Sequence, residues 1–99
     1  MPSYCLTRSA REDLSDIVAD LAADSLRGAE LQHARLEQVF DLMASNPRGG
    51  RERNEMGHGV RSFPLGSYTA LYRAVDNQFS IIRIIPTERD MNEDLEDLL

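Results

Sequence analysis

The 99 residues carry a formal net charge of −6, and 41% of them are hydrophobic and 28% charged, which is typical of one globular domain. No apolar run approaches the ~20 residues of a membrane-spanning helix, and the N-terminus lacks a secretion signal. The single cysteine excludes an internal disulfide and a cysteine metal cluster. We therefore expect a single domain over residues 1–99, located in the cytoplasm, with no metal, no cofactor and no membrane partner.

The negative charge is concentrated at the C-terminus. Residues 88–99 carry a net charge of −5, whereas the first 87 residues carry only −1. Proteins gain affinity for free nucleic acid largely by neutralising phosphates, so we expect no direct nucleic-acid binding by this chain alone. All 11 basic residues are arginines, whose planar guanidinium groups suit carboxylates and phosphates equally.

The N-terminal third predicts a short strand followed by a helix. The apolar residues 4–6 are expected to add a strand to a sheet, with Cys5 as a small buried side chain. Ser9 and Glu12 have the spacing of a capping box, which predicts a helix over residues 10–24. Its apolar stripe, at helical spacing, comprises Leu14, Ile17, Val18 and Leu21.

A second helix is predicted over residues 29–44. Arg27 and Gly28 interrupt the first pattern, and Pro47 ends the second because proline restricts the residue before it and cannot continue a helix. The joint is short, so we expect an antiparallel helical hairpin. The apolar stripe of the second helix comprises Leu31, Leu36, Val39, Phe40 and Met43.

Residues 46–59 form the one long stretch without a regular pattern. Arg48, Arg51 and Arg53 lie among glycines there, and glycine lets backbone donors approach an anion closely. The segment is either an anion-binding loop or a mobile, solvated connector.

Three strands are predicted in the C-terminal half: Val60–Leu65, Tyr68–Val75 and residues 79–85. Their β-branched and aromatic residues, with polar residues 76–78 between the last two, are typical of an antiparallel hairpin. Arg73 and Arg83 each lie at the centre of an apolar run. Because burying an unpaired guanidinium group is costly, we expect one face of the hairpin on the core and both arginines on a solvent-facing side.

These elements predict an α+β fold, with an antiparallel two-helix hairpin packed on a small, mostly antiparallel twisted sheet. The order is strand, helix, helix and three strands, followed by an acidic tail over residues 91–99. Nine residues are too few for an independent helix. The tail is therefore expected to be helical only if Leu95 and Leu98 dock on the body or on a partner; the alternative is a frayed terminus. The apolar positions Met91, Leu95, Leu98 and Leu99 share one helical face.

An ordered set of motifs then places the chain beside a known group of proteins. The motifs are Leu6-Thr7-Arg8-Ser9-Ala10, Asn46-Pro47-Arg48, Gly59-Val60-Arg61-Ser62-Phe63, Leu71-Tyr72-Arg73 and Ile81-Ile82-Arg83-Ile84-Ile85. Over residues 4 to 90 the chain resembles the ParE/RelE superfamily of bacterial type II toxins, and the ParE branch most closely. The resemblance implies the fold described above. It also implies a toxin held inactive by a cognate antitoxin in a hetero-oligomer.

The two branches of this superfamily imply different activities. ParE-like members poison DNA gyrase by binding it, whereas RelE-like members, the alternative, cleave mRNA on the ribosome. RNA cleavage needs groups that activate a ribose hydroxyl, stabilise phosphate charge and protonate a leaving oxygen. Where RelE-like enzymes have two key arginines and a tyrosine, this chain has Thr69, Glu88 and Asp94. We therefore expect no catalytic residues and no ribonuclease activity.

The same resemblance suggests where a target or an antitoxin binds. We expect an amphipathic, partly disordered antitoxin segment to fold over the apolar edge and face of the sheet. ParE-like chains commonly carry a histidine where this one has Pro86, so a non-toxic protein that retains only antitoxin binding is a further alternative. The predicted binding residues are Arg61, Tyr68, Tyr72, Arg73, Arg83, Arg89, Leu95 and Leu98.

Overall fold

The computed structural model describes residues 4–76 and 78–88. In chain order the elements are β1 (Cys5–Leu6), α1 (Arg8–Asp24), α2 (Leu26–Ser45), β2 (Arg51–Glu52), a 3₁₀ turn (Asn54–Met56), β3 (Val60–Leu65), β4 (Tyr68–Val75) and β5 (Gln78–Pro86). Within the described residues, the five strands form one sheet in the order β1-β5-β4-β3-β2. Strand β1 runs parallel to β5, and the other neighbouring strands are antiparallel. The predicted α+β fold is confirmed. The predictions for Arg89, Asp94, Leu95 and Leu98 lie outside the described residues.

Helix α1 begins earlier than its capping box predicts. Thr7 is the N-cap, and its Oγ1 accepts a hydrogen bond from the Ala10 N–H at 3.1 Å. The same hydroxyl donates to the Ile82 carbonyl at 2.8 Å. The prediction of a capping box at Ser9 was wrong, because Thr7 is held on β5 and starts the helix at Arg8.

The two helices are joined by one residue. Ser25 ends α1, and its side chain also caps α2 by accepting the Gly28 N–H at 3.0 Å. The prediction that Arg27 and Gly28 interrupt the helix was wrong, because a serine cap lets α2 begin at Leu26 and include both residues.

The main core lies between the helical hairpin and one face of the sheet. Val18 and Val39 are partly buried against it. The prediction that Leu21 is a core residue was wrong: it is 37% exposed, because it lines an open groove beside the β3–β4 turn. Leu31 and Cys5 are also exposed. The buried residues of this core are Ala10, Leu14, Ile17, Leu36, Phe40, Met43, Ala70, Tyr72, Phe79, Ile81 and Ile84.

The other face of the sheet carries a second, smaller core. Val60, Leu71 and Ile85 are fully buried there, beneath Met56 from the 3₁₀ turn. The expectation that one face of the hairpin meets solvent was wrong, since residues 46–59 fold back over part of it. This segment contains β2 and the 3₁₀ turn, so it is a packed element and not a solvated connector.

Strand β5 contains one extra residue opposite β4. Leu71 pairs with Arg83 and Tyr72 pairs with Ile81, so Ile82 has no partner across the strands. Arg83 donates to the Asp13 carboxylate of α1 beside this bulge. The prediction that Arg83 lies on the solvent-facing side was wrong, because an ion pair with the helix holds it between the layers.

Candidate binding surfaces

An apolar groove with a volume of about 350 Å³ opens between the helical hairpin and the β3–β4 turn. Leu21 and Leu36 line one wall, and Leu65, Tyr68 and Ile84 line the other. Tyr68 is half-buried, and its hydroxyl makes no hydrogen bond to another described residue. Of the predicted binding residues that the structure describes, Tyr68 is therefore the one that lies in an open apolar groove. Amphipathic segments of partner proteins bind in grooves of this kind.

Tyr72 holds the arginine-rich loop, residues 46–53, on the sheet. The side chain is only 1% exposed, and its ring stacks on Phe79 with centroids 4.7 Å apart. Its hydroxyl donates to the Pro47 carbonyl at 2.8 Å and accepts the Gly50 N–H at 2.9 Å. Burial raises the pKa of Tyr72 above its ordinary value. The predicted binding residue Tyr72 thus lies in the core and positions the loop.

Gly50 lets the loop approach the sheet closely. A Cβ atom at this position would overlap the Tyr72 hydroxyl and would lie only 2.7 Å from the Ser62 carbonyl oxygen. Both neighbours belong to strands of the sheet, so neither yields easily. A residue without a side chain is therefore required for the Tyr72 hydrogen bonds to form.

Three of the four predicted arginines are among the described residues, and these three do not form one cluster. Arg61 donates to the Gly50 carbonyl at 2.8 Å and to Glu52 Oε1 at 3.2 Å. Arg73 is exposed, and its Nε donates to the His58 carbonyl at 3.1 Å. Arg83 contacts Asp13 on the helical side. Arg61 thus lies beside the arginine-rich loop and Arg73 beside His58, where a partner has access to them, whereas Arg83 belongs to the interior.

A second concavity, of about 470 Å³, lies beside β2 and β3. Arg51 and Arg53 contribute guanidinium groups, and Ser62 and Thr69 contribute hydroxyls from the sheet. Ser62 is 8% exposed and Thr69 is 6% exposed. The sequence pointed to the arginines as a candidate anion loop but gave no signal for Ser62, because one serine in a strand has no distinctive pattern.

The residues that the structure describes along this concavity include no proton-transfer group. Thr69 Oγ1 lies 3.0 Å from Thr87 Oγ1. Within the described residues, the lining includes no carboxylate, imidazole or phenol. In the same part of the chain, no three His, Cys, Asp or Glu residues are grouped closely enough to hold a metal ion. The described part of the lining therefore offers hydrogen-bond donors and positive charge to a negatively charged group.

None of the described helices is both long enough and apolar enough to cross a membrane.

Comparison with protein families decides the group to which the chain belongs. The family model described as the ParE toxin of the type II toxin-antitoxin system parDE matches residues 4–91. The chain belongs to the ParE toxin family. ParE-type toxins are not conventional enzymes, and this ParE-family chain is therefore a toxin of the non-enzymatic kind.

Individual ParE relatives are similar in sequence to this protein over most of its length. The Toxin ParE3 of Caulobacter vibrioides is 31% identical over 80 residues, which is 80% of each chain. The Toxin ParE1 of Mycobacterium tuberculosis is 32% identical over 101 residues, covering 93% of this chain and 96% of the relative. The likeness therefore extends over both helices and the sheet.

Two solved structures share the fold. One is a chain of the chromosomal ParDE toxin-antitoxin system from P. aeruginosa, with a TM-score of 0.72 and 22% identity over 87% of this chain and 96% of that chain. The other is a chain of the toxin-antitoxin complex RelBE2 from Mycobacterium tuberculosis, with a TM-score of 0.59 and 27% identity over 87% and 99% of the two chains. The ParE and RelE branches thus share this architecture.

Proposed function

We propose that this ParE-family toxin acts in the cytoplasm by binding DNA gyrase, and that a cognate antitoxin neutralises it in a hetero-oligomer. The observation that carries the proposal is the ParE family match over residues 4–91. The concavity beside β2 and β3 supports action by binding over RNA cleavage, since its described lining offers arginines and hydroxyls without a general acid or base.

The antitoxin is proposed to place an amphipathic segment in the groove between the helical hairpin and the β3–β4 turn. Leu21 and Tyr68 offer apolar contact there. Arg61, beside the arginine-rich loop, and Arg73, beside His58, are proposed to pair with acidic side chains of the antitoxin or of the target. The proposed contacts outside the described residues are Arg89, Leu95 and Leu98.

Arg83 and Tyr72 support these contacts from within the fold. Arg83 is already paired with Asp13, and the Tyr72 hydroxyl is already bonded to the loop. Neither side chain is proposed to touch a partner directly. This separates the predicted binding residues into surface contacts and residues that hold the surface in place.

Purified protein in a gyrase supercoiling assay tests the target. The expected result is loss of supercoiling at a stoichiometric ratio of toxin to gyrase, with recovery when the protein encoded beside it is added. In parallel, the same preparation is incubated with translating ribosomes. Cleavage of ribosome-bound mRNA, with gyrase unaffected, would overturn the proposal in favour of the RelE-like alternative.

A second candidate is a chain that binds its antitoxin but is no longer toxic. Pro86 favours it, because this exposed residue at the end of β5 stands where ParE-like chains commonly carry a histidine. Inducing the protein without its antitoxin distinguishes the two candidates. Growth arrest with DNA damage supports the gyrase poison, whereas normal growth at a verified protein level supports the non-toxic binder. A Pro86→His variant that restores growth arrest would identify this residue as the cause.

A further inference from the structure

The concavity beside β2 and β3 contains a buried hydroxyl group that has no hydrogen-bond partner among the described residues. Ser62 is 8% exposed and lines the concavity, yet its hydroxyl makes no hydrogen bond to another described residue. A buried hydroxyl without a partner costs free energy, so such groups are usually satisfied by a ligand or by water. The Ser62 hydroxyl is therefore available to donate to an acceptor in the concavity.

The charged groups around this hydroxyl favour an anion. Arg51 is exposed, and its guanidinium group forms no ion pair with another described residue. Arg53 lies on the same lining, where its Nε pairs with Glu55 at 3.1 Å. Thr69 and Thr87 share one hydrogen bond between two hydroxyls, which leaves one of their two hydrogens for another acceptor. Donors surround the concavity, and carboxylates are absent from its described lining.

The number of charges suits a single oxyanion and not a polyanion. Two arginines line the concavity, and Glu52 and Glu55 lie beside them in the chain. Binding to nucleic acid depends on neutralising several phosphates at once, which this small, partly offset positive patch does not do. A carboxylate matches one arginine fork and one hydroxyl donor.

The last described residues of the chain, Thr87 and Glu88, lie at the edge of this concavity. Thr87 Oγ1 lies 3.0 Å from Thr69 Oγ1, a lining group, and the described chain ends one residue later at Glu88. Residues 89–99 carry five acidic side chains and one arginine. A residue spans up to about 3.5 Å, so the carboxylates of Asp90, Glu93 and Asp94 are all within reach of the concavity. We propose that the concavity is an oxyanion site, and that its ligand is a carboxylate of the chain's own C-terminal segment, residues 89–99.

Neutralising the first three acids of this segment tests the proposal in the full chain. The variant combines Asp90→Asn, Glu93→Gln and Asp94→Asn. In NMR spectra, the Arg51 Nε–H resonance and the Ser62 and Thr69 amide resonances are expected to differ from those of the wild type. A control with the same charge change, Asp16→Asn, Asp20→Asn and Glu30→Gln on the exposed faces of the helices, should leave them in place.

Inorganic phosphate then probes the emptied site. A tethered segment competes at a millimolar effective concentration, so phosphate should bind the neutralised variant about fivefold more tightly than the wild type. Ser62→Ala and Arg51→Gln, each added to the neutralised variant, should weaken this binding, whereas Arg27→Gln on α2 should not. The proposal is wrong if phosphate binds both chains equally, or if Arg51 and Ser62 resonances are unchanged by the neutralised acids. It is also wrong if Ser62→Ala and Arg51→Gln both leave phosphate binding intact.

Discussion

Asp13 of α1 holds Arg83 of β5 through both of its carboxylate oxygens. Arg83 Nε donates to Oδ2 at 2.7 Å, and Nη2 donates to Oδ1 at 3.1 Å. Oδ2 also accepts the backbone N–H of Ile84 at 3.0 Å, next to the extra residue of β5. The hydrogen bond with Asp13 raises the pKa of Arg83, so the guanidinium group stays charged. The Asp13 carboxylate therefore joins helix α1 to strand β5 beside the β-bulge.

Replacing Asp13 by Asn should destabilise the protein strongly. The two side chains of the pair are only 16% and 17% exposed, so the variant leaves Arg83 without a counter-charge in a poorly hydrated place. We expect a loss of about 3 kcal/mol in the free energy of unfolding, measured by urea denaturation. Asp16→Asn, at an exposed position of the same helix, should change it by less than about 0.5 kcal/mol. Equal effects of the two substitutions would show that the ion pair contributes nothing.

Tyr72→Phe should loosen the arginine-rich loop without disturbing the core. The ring and its stacking on Phe79 remain, whereas the bonds to Gly50 and Pro47 are lost. The expected cost is about 1–3 kcal/mol, with faster hydrogen exchange at the Gly50 amide. Tyr68→Phe is the matched control, because the Tyr68 hydroxyl makes no hydrogen bond to another described residue. Protection of the Gly50 amide that survives in Tyr72→Phe would contradict the proposed role of the hydroxyl.

Stability should fall at alkaline pH partly because of Tyr72. Burial raises the pKa of this hydroxyl in the folded protein, whereas an unfolded chain titrates tyrosine at about 10. The folded state therefore holds the Tyr72 proton more tightly than the unfolded chain does. The stability that this protonated hydroxyl contributes is complete below pH ~10, and it is lost as the pH rises through the pKa of the folded state. Above pH ~10, Tyr72→Phe should show a shallower decline than the wild type, by up to about 1.4 kcal/mol per pH unit. Parallel declines would mean that Tyr72 titrates alike in both states.

Gly50→Ala tests the close approach of the loop to the sheet. The added Cβ would overlap the Tyr72 hydroxyl and crowd the Ser62 carbonyl, so we expect a loss of about 1–3 kcal/mol in the free energy of unfolding. Combined with Tyr72→Phe, part of the overlap disappears, and the double variant should lose less than the sum of the single losses. Strict additivity in urea denaturation would indicate that the two residues do not interact.

Leu21→Ser should weaken antitoxin binding more than it weakens the fold. Leu21 is 37% exposed and lines the apolar groove, so a partner in the groove would cover it. We expect a loss of about 1 kcal/mol or more in binding free energy, measured by calorimetry with the cognate antitoxin. Leu42→Ser, at a position of α2 that is 69% exposed and outside the groove lining, is the control. Equal affinities of the two variants would place the antitoxin elsewhere.

The sequence by itself determined the elements whose signals are local. Strands β3 and β4 have the predicted bounds, Val60–Leu65 and Tyr68–Val75, because alternating apolar residues and the turn residues between them act within a few positions. The family could also be inferred, because its motifs are short and follow one another at recognisable spacings. The helical hairpin was predictable for the same reason, although its caps were not.

The tertiary structure alone decided the features that join distant parts of the chain. The local sequence indicates only that Asp13 is an acidic residue on a solvated helix face. Its partner Arg83 is 70 residues away, and only the folded structure brings the two together. Thr7 displaces the predicted cap at Ser9 because its hydroxyl also bonds to Ile82 on β5. Met56 covers the second face of the sheet from a segment without regular pattern. Such choices depend on desolvation and on hydrogen-bond partners across the fold, and a local pattern contains neither.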